Sequence, residues 1–230
     1  MDKMLIIIPA YNEEANLKRV VNRIKEEVPW ADYVVINDGS LDDTRAICET
    51  NRFQYLDLPV NIGLSGAIRA GMKYAVYEKY DYVVQIDGDG QHRPEYISEL
   101  LKCMKETGAG IVIGSRFKNK KKPASLRMLG SRLISGAIWL TTKGDYIGDV
   151  TSGMRLYDRN AIIRYANGIN YRPEPDTVAY LINHGIKVRE VQVEMDERIA
   201  GTSYLSIGNS VNYMIHVLFN ILFFQWVRKD

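Results

Sequence analysis

The chain has 230 residues, 46% of them hydrophobic and 25% charged, with a formal net charge of +2. That is enough apolar material for one sizeable core, and the near balance of charge argues against a nucleic-acid partner, which requires a strongly basic domain. Cys48 and Cys103 stand far apart in helix-like stretches, which suggests neither a disulfide framework nor a zinc site and suits a reducing cytoplasm.

Taken in chain order, the first half alternates short apolar runs with helical periodicity, the pattern of an α/β domain with a mostly parallel sheet. Met4–Ile8, Tyr33–Ile36, Tyr82–Ile86 and Ile111–Ile113 read as buried strands, and Tyr55–Leu58 as a weaker one. The first of these begins so near the N-terminus that a preceding signal peptide is not expected. Leu17, Val20, Val21 and Ile24 fall at helical spacing, as do Ile97, Leu100, Leu101 and Met104. Pro94 suits the first turn of the second helix and Glu95 its positive end, so a loop from about Asp87 to Arg93 joins strand to helix.

The second half holds an amphipathic stretch around Ser131–Leu140, a helix-like segment near Thr177–Asn183 with Gly185 as its stop, and a strand-like Val188–Val193. No repeat or low-complexity linker divides it, so residues 1–206 are expected to form one domain, followed by a helix over 207–230. In that helix Tyr213–Val227 is apolar almost all round, while Asn209, Asn212, His216 and Asn220 mark one polar face. The run is shorter than the roughly 20 residues that span a bilayer, and Trp226, Arg228 and Lys229 suit a headgroup region. An interfacial helix is the preferred reading; packing on the parent domain or on a second copy of the chain is the alternative.

Three polar loops follow three of the strands. Asp87-Gly88-Asp89-Gly90-Gln91-His92 offers two carboxylates one residue apart and an amide oxygen, hard ligands for Mg²⁺ or Mn²⁺ bridging a diphosphate. A simple Asp/Gly turn is the local alternative; a calcium loop lacks its closing glutamate, because Ser98 occupies that position. Pro9-Ala10-Tyr11-Asn12-Glu13-Glu14 places an aromatic ring beside free backbone N–H groups, or is an ordinary strand-to-helix turn with Asn12 as N-cap. Asn37-Asp38-Gly39-Ser40 puts a carboxylate where a base or ribose can donate to it, or is a turn with Ser40 capping the next helix. Three such loops at strand ends converge on one edge of the sheet, which implies one cleft.

With Ile-Pro-Ala-Tyr-Asn-Glu-Glu, Asn-Asp-Gly-Ser, Asn61-x-Gly63-x-x-Gly66-Ala67-x-x-x-Gly71, Asp87-x-Asp89-x-Gln91-His92 and Gly114-Ser115-Arg116 in this order, the chain resembles the family 2 glycosyltransferases from Leu5 to about Ser203. Within them it is similar to polyprenyl-phosphate sugar synthases and to bacterial enzymes of surface polysaccharides. The resemblance implies a GT-A fold, inversion at the anomeric carbon and a nucleoside diphosphate sugar as donor, with a uridine nucleotide favoured. It implies that Pro9, Ala10, Tyr11, Glu13, Asp38 and Gly66 hold the nucleoside side of the donor. Asp87, Gly88, Asp89 and Gln91 serve the metal and diphosphate, and Arg116 meets a phosphate. Asp149, Ser152 and Gly153 match an acceptor-side Asp-x-x-Ser-Gly segment; Arg198, Gly201 and Ser203 match an Arg-x-x-Gly-x-Ser segment. Tyr204 stands where the polyprenyl-phosphate synthases carry a lysine.

Inversion by single displacement requires positive charge on the leaving diphosphate, from the metal, Arg116 and Arg198. A sugar-hydroxyl acceptor also needs a base, for which Asp176 is preferred over Asp149, with an N-cap role as the alternative for Asp176; a lipid phosphate needs none. The acceptor is expected to be polyprenyl phosphate or a lipid-linked glycan, and the enzyme peripheral at the inner face of the cell membrane. Lys118–Lys122 is either an attractor of anionic lipid or a solvated loop. A nucleotidyltransferase and a dinucleotide-dependent oxidoreductase are disfavoured, because neither a basic Gly-rich loop nor G-x-G-x-x-G follows the first strand. A non-catalytic, membrane-attached binder of nucleotide-sugars is the alternative from another class.

Overall fold

The computed structural model describes residues 2–120, 122–123, 126–142, 146–168, 175–197 and 207–223. Its strands are β1 (Met4–Ala10), β2 (Asp32–Asn37), β3 (Tyr55–Asp57), β4 (Tyr82–Gln85), β5 (Ile111–Ser115), β6 (Arg155–Asp158) and β7 (Val188–Gln192). Its helices are α1 (Leu17–Glu27), α2 (Thr44–Thr50), α3 (Gly63–Tyr77), α4 (Ile97–Thr107), α5 (Leu126–Thr141), α6 (Arg159–Asn167), α7 (Pro175–Asn183) and α8 (Ile207–Leu222), with a 3₁₀ turn over Pro94–Tyr96 before α4. The strands form one sheet in the order β3-β2-β1-β4-β6-β5-β7. Every neighbouring pair is parallel except those of β6, which runs antiparallel to both β4 and β5.

Strand alternation divides the core into two layers, because successive side chains point to opposite faces of a sheet. Along β1, Met4, Ile6 and Ile8 enter one cluster with Leu17, Val21 and Ile24 of α1 and Leu100 of α4. Leu5 and Ile7 enter the other, with Ile68 and Met72 of α3, Ile134 and Ile138 of α5, and Val217 and Ile221 of α8. A sheet covered on both faces is what the continuous apolar runs require, since neither side of β1 meets water.

Several expectations need correction at their edges. Asn12 does not cap a helix: its φ is 56°, and α1 starts only at Leu17, with Asn16 before it. Asn12 instead donates its N–H to Ser40 Oγ at 3.0 Å and accepts from the Leu41 N–H at 2.8 Å. Ser40 is therefore used in joining two loops, and α2 begins later, at Thr44. Gly185 does stop α7, with φ of 84° just past Asn183. The strand β6 carries no periodic signal in its four residues; Asp158, its last residue, caps α6 by accepting the Ala161 N–H at 2.8 Å. Trp226, Arg228 and Lys229 lie outside the described residues.

Gly71 shows two local effects in opposition. A Cβ there would stand 2.6 Å from Ile7 Cγ2, on a central strand that has no room to yield. Alanine in a helix interior gains about 1 kcal/mol over glycine, whereas overpacking a close-packed core costs roughly 1–3 kcal/mol. Gly71→Ala is therefore expected to lower the unfolding free energy on the order of 1 kcal/mol, as read by urea denaturation; a stabilised variant would show that α3 can shift off the sheet.

Candidate active site

The parallel strands bring the loops after β1, β2, β4, β5 and β7 to one edge of the sheet. Because β6 runs the other way, the segment entering it, Asp149–Met154, comes to that same edge. The sequence motifs meet here through the direction of one short strand.

The first two loops are stitched together by side-chain to backbone bonds. Besides the Asn12 contacts, the Glu13 N–H donates to Thr44 Oγ1 at 2.9 Å, the Glu14 N–H to Asp42 Oδ2 at 3.1 Å, and the Asp43 N–H to Glu14 Oε2 at 2.9 Å. Asp38 is 3% exposed; its N–H donates to the Ala10 carbonyl at 2.9 Å and its Oδ1 accepts the Ile62 N–H at 2.8 Å. Pro9, Ala10, Glu13 and Asp38 thus form one wall, with the Tyr11 ring partly exposed on it. Gly66 lies in the first turn of α3 against the Ile62 side chain.

The third loop is pressed against this wall. A side chain at Gly88 would meet the Pro9 carbonyl at 3.0 Å and Glu13 Cγ at 3.4 Å. Asp87 Oδ1 accepts from Gln85 Nε2 at 3.0 Å, and Asp89 Oδ1 accepts the Gln91 N–H at 3.0 Å. His92, almost fully buried, accepts the Asp87 N–H on Nδ1 at 3.0 Å, so its ring proton sits on Nε2, 3.8 Å from Asp87 Oδ2. From the other side comes Gly153, where a Cβ would lie 2.5 Å from Asp87 Oδ2.

The chemistry of this donor set fits Mg²⁺ or Mn²⁺. Among the described residues no group of three His, Cys, Asp or Glu could hold a metal by itself. Hard divalent ions of this kind are commonly bound by one or two carboxylates and complete their shell with amide oxygens, water and substrate phosphates. Asp87 and Asp89, with the Gln91 amide, match that pattern and leave coordination for a diphosphate.

Asp149 departs from one of its expected roles. It is fully buried, and Arg116 grips it with Nε on Oδ2 at 2.7 Å, Nη2 on Oδ1 at 2.8 Å and the Arg116 N–H on Oδ2 at 3.0 Å. Burial disfavours its charge, but the hydrogen bonds and charge of Arg116 outweigh that and hold the carboxyl below its usual range. A buried carboxylate with both oxygens engaged is a poor proton acceptor, so this pair positions the Arg116 guanidinium at the edge of the cleft. Glu190 of β7 fixes the turn from below, accepting the Gly148 and Asp149 N–H groups at 2.8 Å each. Asp176, the other candidate base, is the second residue of α7 and so not its N-cap. Arg198 lies outside the described residues.

A clasp absent from the sequence reading closes the far side. The Asp196 carboxylate receives Arg23 Nη1 and Arg93 Nε, each at 2.6 Å, and its N–H donates to the Gln91 carbonyl at 2.9 Å. The hydrogen bond from Arg23 is the main cause of its lowered pKa. Its partners come from distant elements, so no local pattern marks it; His92, by contrast, was visible beside Gln91 although its buttressing of Asp87 was not.

The sequence profile of glycosyl transferase family 2 matches residues 5–166. The chain is 30% identical over 229 residues to the polyprenol monophosphomannose synthase of Mycolicibacterium smegmatis, covering 94% of this chain and 85% of that protein. It is also 30% identical over 221 residues to the undecaprenyl-phosphate mannosyltransferase of Micrococcus luteus, covering 90% and 88%. Glucosyl-3-phosphoglycerate synthase from Mycobacterium tuberculosis, crystallised with Mn²⁺, UDP-glucose and phosphoglyceric acid, superposes with a TM-score of 0.64 at 17% identity, over 100% of this chain and 81% of that one. With phosphoglyceric acid alone the TM-score is 0.70. At that identity the likeness is one of fold, and it is the GT-A fold.

The Arg116–Asp149 pair predicts a pH signature. A depressed carboxyl pKa contributes stability that is fully present above the unfolded value of roughly 3.9 and is lost as pH falls through the lower folded value. Asp149→Asn should cost about 3 kcal/mol at neutral pH, since it leaves the buried side of Arg116 without a counter-charge. In urea titrations at several pH values the gap between wild type and variant should narrow below pH ~4; a gap independent of pH rules out the ionic contribution.

Proposed function

The chain belongs to glycosyl transferase family 2 and is a glycosyltransferase, and on that premise we propose that it transfers a sugar, with inversion, from a uridine diphosphate sugar to a polyprenyl phosphate. The observation that carries this is the placement of Asp87-Gly88-Asp89 just past the end of β4, with Gly88 against the Pro9 carbonyl and Asp87 against Gly153. Support for the donor comes from the Mn²⁺ and UDP-glucose bound by the fold relative. Support for the acceptor comes from the two bacterial relatives, which are named for polyprenol and undecaprenyl phosphate chemistry.

In this reading the nucleoside lies along Pro9, Ala10 and Tyr11, with Asp38 accepting from the base or ribose, Glu13 bracing the loop and Gly66 keeping α3 clear. Asp87, Asp89 and Gln91 would hold Mg²⁺ or Mn²⁺, which when bound would supply positive charge to offset that of the departing diphosphate. Gly88 keeps the loop close enough for both walls to touch one ligand. Arg116, aimed by Asp149, donates to a phosphate oxygen, and Arg198 is assigned the same duty. The acceptor oxygen forms a bond to the anomeric carbon as the bond from that carbon to the diphosphate breaks, and the nucleoside diphosphate leaves. A phosphate acceptor is already an anion, so no side chain has to remove a proton; for a hydroxyl acceptor Asp176 would take it.

The same reading divides the chain into a catalytic unit over 1–206 and a C-terminal helix over 207–230, and sets the enzyme to work at the inner face of the cell membrane. Association of two copies through α8 is the alternative use of that helix. Among the described residues no helix is long and apolar enough to cross a membrane.

A ligand that binds only the native state raises the melting temperature. UDP and UDP-sugars with Mn²⁺ should therefore shift the wild type, and Asp89→Asn should lose the metal-dependent part of the shift and the turnover while melting unchanged without ligand. Turnover of a labelled sugar onto polyprenyl phosphate by the Asp89→Asn variant at the wild-type rate would overturn the assignment. Binding without any turnover by the wild type would favour a non-catalytic binder.

A further inference from the structure

From β7 onward the chain keeps the two-residue alternation of a strand. Val191, Val193 and Met195 pack into the core layer that holds α1 and α4, and Glu190, Gln192, Glu194 and Asp196 alternate with them. Each of these four polar side chains is engaged with a loop of the cleft. Glu190 holds the Gly148–Asp149 turn. Gln192 Nε2 donates to the Arg116 carbonyl at 3.0 Å, and its Oε1 accepts the Asn119 N–H at 2.7 Å. Glu194 receives Lys120 Nζ at 3.0 Å and Arg93 Nη1 at 3.4 Å. The first two therefore fix the surroundings of Arg116, and Glu194 reaches from there to the acidic loop.

Asp196 is the member that meets Gln91. Its N–H donates to the Gln91 carbonyl at 2.9 Å, its carbonyl accepts from Gln91 Nε2 at 3.5 Å, and Met195 beside it forms an antiparallel bridge with His92. A carboxamide carries its donor and its acceptor at opposite corners. Fixing Nε2 on Asp196 therefore fixes which way Oε1 faces, and Oε1 is the atom that can ligate a hard cation. The Asp196 side chain is not required to neutralise its arginines. Arg23 Nε also donates to Glu95 at 3.2 Å, and Arg93 has Glu194. Ion pairs as exposed as these add little to folding. What the arginines supply is position, because Arg23 from α1 takes Oδ2 and Arg93 from the loop takes Oδ1, which leaves Asp196 one place beside Gln91.

We propose that Asp196 is a positioning residue of the metal site: held by Arg23 and Arg93, it sets the Gln91 amide so that its oxygen faces the cation. The proposal rests on the assignment of Asp87, Asp89 and Gln91 to Mg²⁺ or Mn²⁺ and adds a residue outside that ligand set. Groups that orient a metal ligand typically govern metal affinity by about 10–100-fold.

The test is the Mn²⁺ concentration that gives half of the maximal thermal shift of the full chain, measured with saturating UDP and in parallel with GDP. Asp196→Ala should raise that midpoint about tenfold, while its melting temperature without ligand stays close to that of the wild type. Arg23→Gln, on α1 and outside the cleft, should raise it in the same direction by a smaller factor, and it decides the matter should Asp196→Ala fail to fold. A residue that acts through the Gln91 amide has nothing left to act on once that amide is gone. Asp196→Ala in a Gln91→Ala background should therefore bring no further rise, which a merely structural role would not predict. An unchanged midpoint in the clasp variants, or the same rise with the Gln91 amide present and absent, overturns the proposal while the metal assignment stands. A wild type with no Mn²⁺-dependent shift for either nucleotide overturns the metal assignment, and the proposal with it.

Discussion

The carboxylate of Asp87 fills the space that any side chain at position 153 would need. Two stretches more than sixty positions apart in the chain therefore meet in van der Waals contact at the edge of the sheet, and only glycine allows it. The contact follows from the reversed direction of β6, which delivers Asp149–Met154 to the edge where the parallel strands deliver their loops. Were β6 parallel to its neighbours, that segment would enter from the opposite edge. The acidic loop and the segment that enters β6 are thus one structure, joined at Asp87 and Gly153.

Around that junction the charged groups are neutralised in distinct ways. Asp149 is buried and spent on Arg116, which turns an arginine at the end of β5 into a fixed, oriented cation. Glu190 is spent on two backbone N–H groups and so shapes a turn instead of carrying out chemistry. Asp87 keeps looser neighbours, an amide and an imidazole at 3.8 Å. Carboxylates with such partners can exchange them for a cation, whereas Asp149 cannot without stranding Arg116.

Much of the α/β architecture was legible because β1, β2, β4 and β5 are apolar on both faces and α1 and α4 repeat at helical spacing. The loops at their ends were legible for the same reason, since a motif after a buried strand has a known place. What escaped was set by tertiary contact. Asn12 looks like a helix cap, but its side chain is taken by the second loop, and α1 starts at Leu17 instead. β6 is too short to show alternation, and with it went the position of Asp149, which chemistry of type alone had admitted as a base. The Gly71 position was visible as part of a spaced pattern, while its cause, the Ile7 side chain beneath it, belongs to the fold.

The clasp on Asp196 has a mechanical meaning. One carboxylate bridges an arginine from α1 and an arginine from the acidic loop, and the backbone beside it is bonded to Gln91. The end of the strand-side segment at Asp196 is consequently bolted to that loop. A shift at Gln91 is handed through Asp196 to Arg23 and so to α1, much as a hinge pin carries the turning of one leaf to the other.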